Sequence, residues 1–173
     1  MNPDPRGMKN SADVRIRPLR REDRARIEDV VVAAGNFSPV EIAVAMELVD
    51  EALTRGALSG YIVAVLEEPG RQPPVQGYVC YGLTPLTDGV YDLYWIVVDP
   101  ASQGKGFGHR LLDFVEKDAV RRGGRMLLIE TSSQQTYDAT IRFYQRSGYE
   151  LAARIKNFYR VGDDKLVFSK ELR

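Results

Sequence analysis

The chain is poor in the residues from which metal sites and disulfide frameworks are built. Its 173 residues include one cysteine, Cys80, and one histidine, His109. A single cysteine permits no internal disulfide. One cysteine with one histidine cannot assemble a Cys- or His-based zinc site, so the expectation is a metal-free protein. Charge of one sign is also missing, because Lys+Arg and Asp+Glu both number 24 and the formal net charge is zero. Without a basic excess the chain has no electrostatic footprint for nucleic acid. No apolar run approaches the ~20 residues of a membrane span. The opening "MNPDPRGMKNSAD" lacks the hydrophobic stretch of a signal peptide. The expectations are no nucleic acid partner, no membrane partner and a cytoplasmic location.

What is present reads as one globular domain. Apolar residues make up 44% of the chain and charged residues 28%, which is ordinary for such proteins, and the length suits a single core. Residues 1–13, polar with two prolines, are expected to form a disordered tail, leaving 14–173 as the domain. "VRIRPL" alternates as a half-buried strand does. "REDRARIEDVVVAAG" reads as a helix closed by Gly35. "SPVEIAVAMELVDEALTRG" opens on a capping box, with Ser38 at the N-cap, Pro39 at N1 and Glu41 at N3. Three strands are expected in "GYIVAVLEE", "VQGYVCYGLTPL" and "GVYDLYWIVVDP". A helix over about 105–122 follows, then the nearly all-apolar strand "RMLLIET", expected to be central and buried. A helix over about 137–147 and a final strand pair around "GDD" complete the chain. The expected fold is α/β (of the α+β kind), with a mixed central sheet of six to seven strands, antiparallel at its ends, flanked by about four helices.

Three glycines crowd the entrance of the third long helix, in "VDPASQGKGFGHRLLDF". Glycine is a poor helix residue, so this density at a helix start suggests a bound anion. The Walker pattern G-x-x-x-x-G-K-[ST] is absent. A dinucleotide fingerprint fails as well, because Gly104, Gly106 and Gly108 are followed by His109 where the third glycine of G-x-G-x-x-G would stand. What remains is a row of backbone N–H groups from Gln103 to His109, opening a helix whose N-terminus carries roughly half a positive charge. That arrangement suits a pyrophosphate.

Gln103-Gly104-Lys105-Gly106-Phe107-Gly108 fits [RQ]-x-x-G-x-[GA] at the end of the strand "LYWIVVDP". It resembles the acetyl-CoA signature of the GNAT superfamily of N-acetyltransferases. "LLIETSSQQTYDATIRFYQRSGYEL" is similar to the family's second motif, and the element order from Val14 to Leu172 matches the family's fold. The resemblance implies acetyl-CoA as cosubstrate, with no metal. It implies that the backbone of Ile96, Val97 and Val98 pairs with the pantetheine arm. The N–H groups of Gln103, Gly104, Lys105, Gly106, Phe107, Gly108 and His109 would hold the pyrophosphate, with Lys105 adding charge outside. Where the second motif often has Asn and then Ala, this chain has Tyr137 and Thr140, so the pantetheine contact at Tyr137 falls to a phenol. Tyr144 takes the place of the family's general acid.

The chemistry requires a base. An amine of pKa ~10.4 is neutral in about one molecule in 2,500 at pH 7, a penalty of roughly 4.6 kcal/mol. A carboxylate that accepts its proton, directly or through water, offsets that penalty. Eleven residues before Gln103 the strand carries Asp92, which the resemblance places where the family often has a general-base Glu, and Asp is unfavourable in a strand interior. Glu130, inside "LLIET", is the competing carboxylate, and a charge in a buried strand must be paired. Cys80 sits in an alternating strand as a small hydrophobe. Aromatic residues in the early helices, the strand of Asp92 and the final strand pair are the candidates for the acceptor pocket: Phe37, Tyr81, Tyr91, Tyr94, Trp95 and Tyr159. They suggest a compact, partly apolar amine, an amino acid or a peptide. A catalytically silent acetyl-CoA sensor and a nucleotide-binding protein remain the alternatives. Oligomeric state is not legible, although the resemblance raises a homodimer.

Overall fold

The computed structural model describes residues 14–173, so the expected tail at 1–13 lies outside the described residues. The chain begins with strand β1 (Arg15–Pro18) and helix α1 (Arg24–Ala34), which ends at Gly35 with φ of 74°. Helix α2 (Pro39–Arg55) starts at the expected capping box, in which the Ser38 hydroxyl accepts from the Glu41 N–H and the Glu41 carboxylate accepts from the Ser38 N–H. Three antiparallel strands follow, β2 (Ile62–Glu67), β3 (Val75–Leu83) and β4 (Val90–Val98). Helix α3 (Phe107–Arg121), β5 (Met126–Ser132), α4 (Asp138–Arg146), β6 (Glu150–Arg160) and β7 (Asp163–Glu171) complete the order. The seven strands form one sheet in the order β1-β2-β3-β4-β5-β7-β6. Only β4 and β5 pair in parallel, so the sheet is mixed and antiparallel at both ends, as expected.

Each face of the sheet has its own core. On one, Leu111, Leu112, Val115 and Ala119 of α3 and Tyr144 of α4 pack with Tyr81, Tyr91, Leu93, Leu127, Ile129, Leu166 and Phe168. On the other, Ile27, Val30 and Val31 of α1 and Ala45, Met46 and Val49 of α2 pack with Val63, Val65, Tyr78, Cys80 and Val97. The second core stops at β4. No helix reaches the same face of β5 and β7, which corrects the expectation for "RMLLIET". Leu127, Ile129 and Thr131 are buried, whereas Leu128 is half-buried and Glu130 exposed. The strand is central, but it is covered on one face alone.

Two irregularities shape the middle of the sheet. Opposite β3, Cys80 pairs with Trp95 and Tyr81 with Leu93, so Tyr94 is an extra residue. Such a bulge bends its strand and shifts the side-chain alternation. Tyr91 and Leu93 therefore face α3, while Trp95 and Val97 face α1 and α2. The parallel pairing of β4 with β5 runs from Val90↔Met126 to Leu93↔Ile129 and then ends, although both strands continue. Beyond this point β4 and β5 diverge, and the β5-facing edge of Tyr94–Val98 has no strand partner.

Candidate active site

The glycine loop is held rigidly from behind and left open in front. Asp99 accepts the Ala101 N–H at 2.8 Å and pairs with Arg26 of α1. Ser102, fully buried, donates its hydroxyl to Gln76 Oε1 at 2.6 Å, and the Gln76 amide donates to the Pro73 carbonyl. The Gln76 backbone carbonyl in turn accepts the Asp99 N–H at 2.8 Å. Ahead of this anchor, Gly104 and Gly106 have φ of 78° and 76°, the left-handed region that glycine occupies without strain, and a Cβ at either would meet nothing. Gly108 faces the Phe143 ring, where a Cβ would make only ordinary van der Waals contact at 3.5 Å.

The first helical bond is Arg110 N–H to the Gly106 carbonyl. Consequently the N–H groups of Gly104, Lys105, Gly106, Phe107, Gly108 and His109 donate to no other described residue. An ordinary helix start leaves four such groups; here six are presented in succession beside the free edge of β4. The Gln103 N–H departs from the expectation, because it is used by the Pro100 carbonyl at 3.3 Å. Lys105 is not a free outer charge either, as its ammonium pairs with Glu68 at 3.1 Å and lies 5.5 Å from the Phe107 ring centre. Phe107 is buried, and His109 is exposed with its ring against Phe143.

The split between β4 and β5 leads from this loop to a cleft. Asp92 stands at the split, by alternation on the α1/α2 face, with its carboxylate accepting the Thr84 hydroxyl at 2.7 Å. Glu130 is the first β5 residue beyond the paired segment, and half of its side chain is exposed. The expectation that it sits in a buried strand is corrected accordingly. Lys165 of β7 contacts it at 2.5 Å and rests 4.7 Å from the Phe158 ring centre. Burial raises the Tyr94 phenol to about 12, with the Asp92 and Glu130 charges adding to the effect. The Tyr159 phenol is raised by burial and by Glu130, Asp163 and Glu41. Asp92 and Glu130 thus both act on Tyr94, and Glu130 acts on Tyr159 as well. Phe37 stacks edge-on against Trp95 at 5.1 Å and Tyr61 against Tyr94 at 5.5 Å, forming the α1–α2 side.

Two residues differ from the sequence expectation. Tyr81 is fully buried under α3 and donates its hydroxyl to Asp118 at 2.6 Å, so it belongs to the core. Tyr91 shares that core. Tyr91 faces away because the bulge at Tyr94 separates the alternation of the early β4 residues from that of the later ones, and Tyr81 because β3 alternates regularly, with Val79 and Tyr81 in one core and Tyr78 and Cys80 in the other. Tyr137 donates its hydroxyl to the Asn36 carbonyl at 3.2 Å, tying the start of α4 to the α1–α2 loop. Its phenol is pushed up to about 12, by burial first and then by Glu41.

Tyr144 is buried among Phe143, Tyr149 and Phe168, and burial holds its phenolic proton well above the ordinary tyrosine range. Its oxygen bonds no described residue. The residue as a whole is 5% exposed. Sequence patterning missed Lys165, Thr84 and the Gln76–Ser102 anchor. A lysine within the apolar alternation of "KLVFSKEL" was the one signal available for the first.

The orphan N–H groups at a helix entrance, beside a parallel strand pair that parts, define a domain of the acyltransferase type. Residues 59–151 match the family described as acetyltransferase (GNAT) domain, and the chain belongs to that family. It is similar to the N-alpha-acetyltransferase RimI of Mycobacterium tuberculosis, with 32% identity over 61% of this chain and 54% of the relative. It is also similar to the L-methionine sulfoximine/L-methionine sulfone acetyltransferase of Salmonella typhimurium, with 35% identity over 57% of this chain and 56% of that protein. The chain thus spans about half the length of these curated relatives. A crystal structure of a GNAT-family protein from Desulfovibrio desulfuricans is 43% identical, with a TM-score of 0.88, covering 92% of this chain and 99% of that one.

Proposed function

We propose that the protein is an N-acetyltransferase that moves an acetyl group from acetyl-CoA to a primary amine by direct attack, the acceptor being a small amine, an amino acid or a peptide. The observation that carries this reading is the row of six unpaired N–H groups from Gly104 to His109 beside the unpartnered edge of Tyr94–Val98. The helix entrance fits a pyrophosphate, and the free strand edge fits an amide-bearing arm. When bound, acetyl-CoA supplies an activated acetyl thioester. The names of the curated relatives, an N-alpha-acetyltransferase and an L-methionine sulfoximine/L-methionine sulfone acetyltransferase, support an amine as acceptor.

The residues divide the proton work. Glu130, half-exposed just beyond the split, takes up the amine's proton, directly or through one water. Asp92, oriented by Thr84 and more enclosed, stabilises the positive charge that develops on the amine and relays its proton through water. Tyr144 keeps a proton at an oxygen free of competing bonds, which suits protonation of the leaving sulfur. Val97 and its neighbours on the free edge offer N–H groups to a developing oxyanion. Tyr94, Tyr159, Phe37 and Trp95 enclose the acceptor.

The test pairs a thermal-shift screen with a thiol-release assay. Stabilisation by CoA and acetyl-CoA is expected, with none by ATP or NAD, and thiol release on at least one amine of a broad panel. Stabilisation by nucleotides alone would overturn the assignment. Binding of acetyl-CoA without turnover on any amine would establish a sensor in its place.

A further inference from the structure

Building on the transferase reading above, we infer that Lys165 binds a carboxylate on the acceptor, which makes the acceptor class α-amino acids rather than simple amines or peptide N-termini. Leu166 and Phe168 of β7 enter the core beneath α3 and α4, so Lys165 lies on the opposite face, which no helix covers. Its side chain is nevertheless only 16% exposed, set beneath Phe158 and against Glu130. A partly buried ion pair gains little net stability once the desolvation of both charges is counted, so stability alone is a weak reason for a lysine here. Of the neighbouring arginines, Arg154 pairs with Asp164 at 2.5 Å and Arg160 with Asp163 at 3.6 Å. Lys165 has one carboxylate partner among the described residues, and that partner faces the cleft.

An ammonium group has three N–H donors, and Glu130 occupies one. The remaining donors are free for a ligand carboxylate, while the exposed Glu130 accepts from the ligand's amine. In an α-amino acid the amine and carboxylate are carried on one carbon, a spacing that matches two oppositely charged side chains in direct contact. Tyr94, Phe158 and Tyr159, between 38% and 51% exposed, then offer an aromatic surface to the amino acid's side chain. Asp92, Glu130, Asp163 and Glu41 act on the Tyr94 and Tyr159 phenols and favour an amine, and Lys165 sets a positive charge against Glu130.

The experiment measures kcat/KM by thiol release for L-methionine and L-phenylalanine against their amides, with the parent, Lys165→Ala and Lys165→Arg. Any difference in intrinsic amine reactivity between acid and amide cancels when the acid-to-amide ratio is compared across proteins. Lys165→Ala should lower that ratio about tenfold or more, as expected for loss of a charged hydrogen bond, and Lys165→Arg should restore most of it. A ratio unchanged by Lys165→Ala overturns the inference. Lys165→Gln, which keeps the aliphatic stem over Phe158, replaces Lys165→Ala if circular dichroism shows that variant to be unfolded. Absence of thiol release with every acceptor would refute the transferase reading instead. In that event calorimetric binding of L-methionine to the CoA-saturated protein decides the matter. Binding weakened about tenfold by Lys165→Ala sustains the carboxylate site, and equal or absent binding removes it.

Discussion

Replacing Tyr144 by Phe separates a catalytic phenol from a packing one. The ring lies 5.4 Å from Phe143, 6.1 Å from Tyr149 and 6.2 Å from Phe168, centre to centre, and phenylalanine retains all three contacts. The hydroxyl has no partner among the described residues, so its removal breaks no hydrogen bond. The cost in stability should stay within about 0.5 kcal/mol, which for a chain of this length is a shift in Tm of about 2 °C or less. Loss of a general acid, by contrast, should lower the chemical rate by about a hundredfold or more, equivalent to roughly 2.7 kcal/mol of barrier. Single-turnover mixing with saturating acetyl-CoA isolates that step from product release, and calorimetry of the same preparation gives Tm. Because burial holds the phenolic proton above its ordinary range, Tyr144 stays protonated through neutral pH and contributes no alkaline limb to the rate profile there. A variant with unchanged Tm and a rate within threefold of the parent would refute the general-acid role. A rate lost together with several degrees of Tm would show that the hydroxyl is structural.

Three further outcomes are expected. Glu130→Gln should reduce kcat by a factor of about 10² to 10⁴ and Asp92→Asn by about tenfold, since Asp92 acts at one remove; steady-state kinetics with one amine would reverse the assignment if Asp92→Asn were the more damaging. Ser102→Ala leaves the buried Gln76 carbonyl oxygen without its donor, at a cost of about 1–3 kcal/mol, and should weaken acetyl-CoA binding while leaving acceptor KM unchanged; a tightly binding variant would show that the loop needs no anchor. Folding stability should fall as pH rises above about 9. Burial raises the Cys80 thiol to about 12 and lifts the Tyr78, Tyr81 and Tyr149 phenols above their ordinary 10.0. The unfolded chain therefore releases protons that the folded chain keeps, and each group weakens the fold by up to about 1.4 kcal/mol per pH unit above its ordinary value. Urea midpoints at pH 8, 9.5 and 10.5 measure this loss, and Tyr78→Phe should reduce the slope; a midpoint independent of pH would contradict it.

The capping box at Ser38, the glycine entrance at Gly104–Gly108 and the alternation of the strands were all legible along the chain. Each depends on residues within a turn or two of one another, so local sterics and backbone hydrogen bonding decide them. The place of the anion site was legible for the same reason. Which side chains share the cleft was a tertiary matter. One extra residue at Tyr94 changes the face on which β4 presents its side chains, sending Tyr91 into the core and Trp95 toward Phe37. Glu130 is exposed although its neighbours are apolar, because α1 and α2 cover β2 to β4 and extend no farther. Lys165 meets Glu130 only because β7 inserts beside β5 ahead of β6. Sequence alone therefore determined the elements and the conformation of the loop proposed to hold the cofactor, where the forces act between near neighbours. The acceptor site waited on strand order and the ending of one strand pair, which no local pattern encodes.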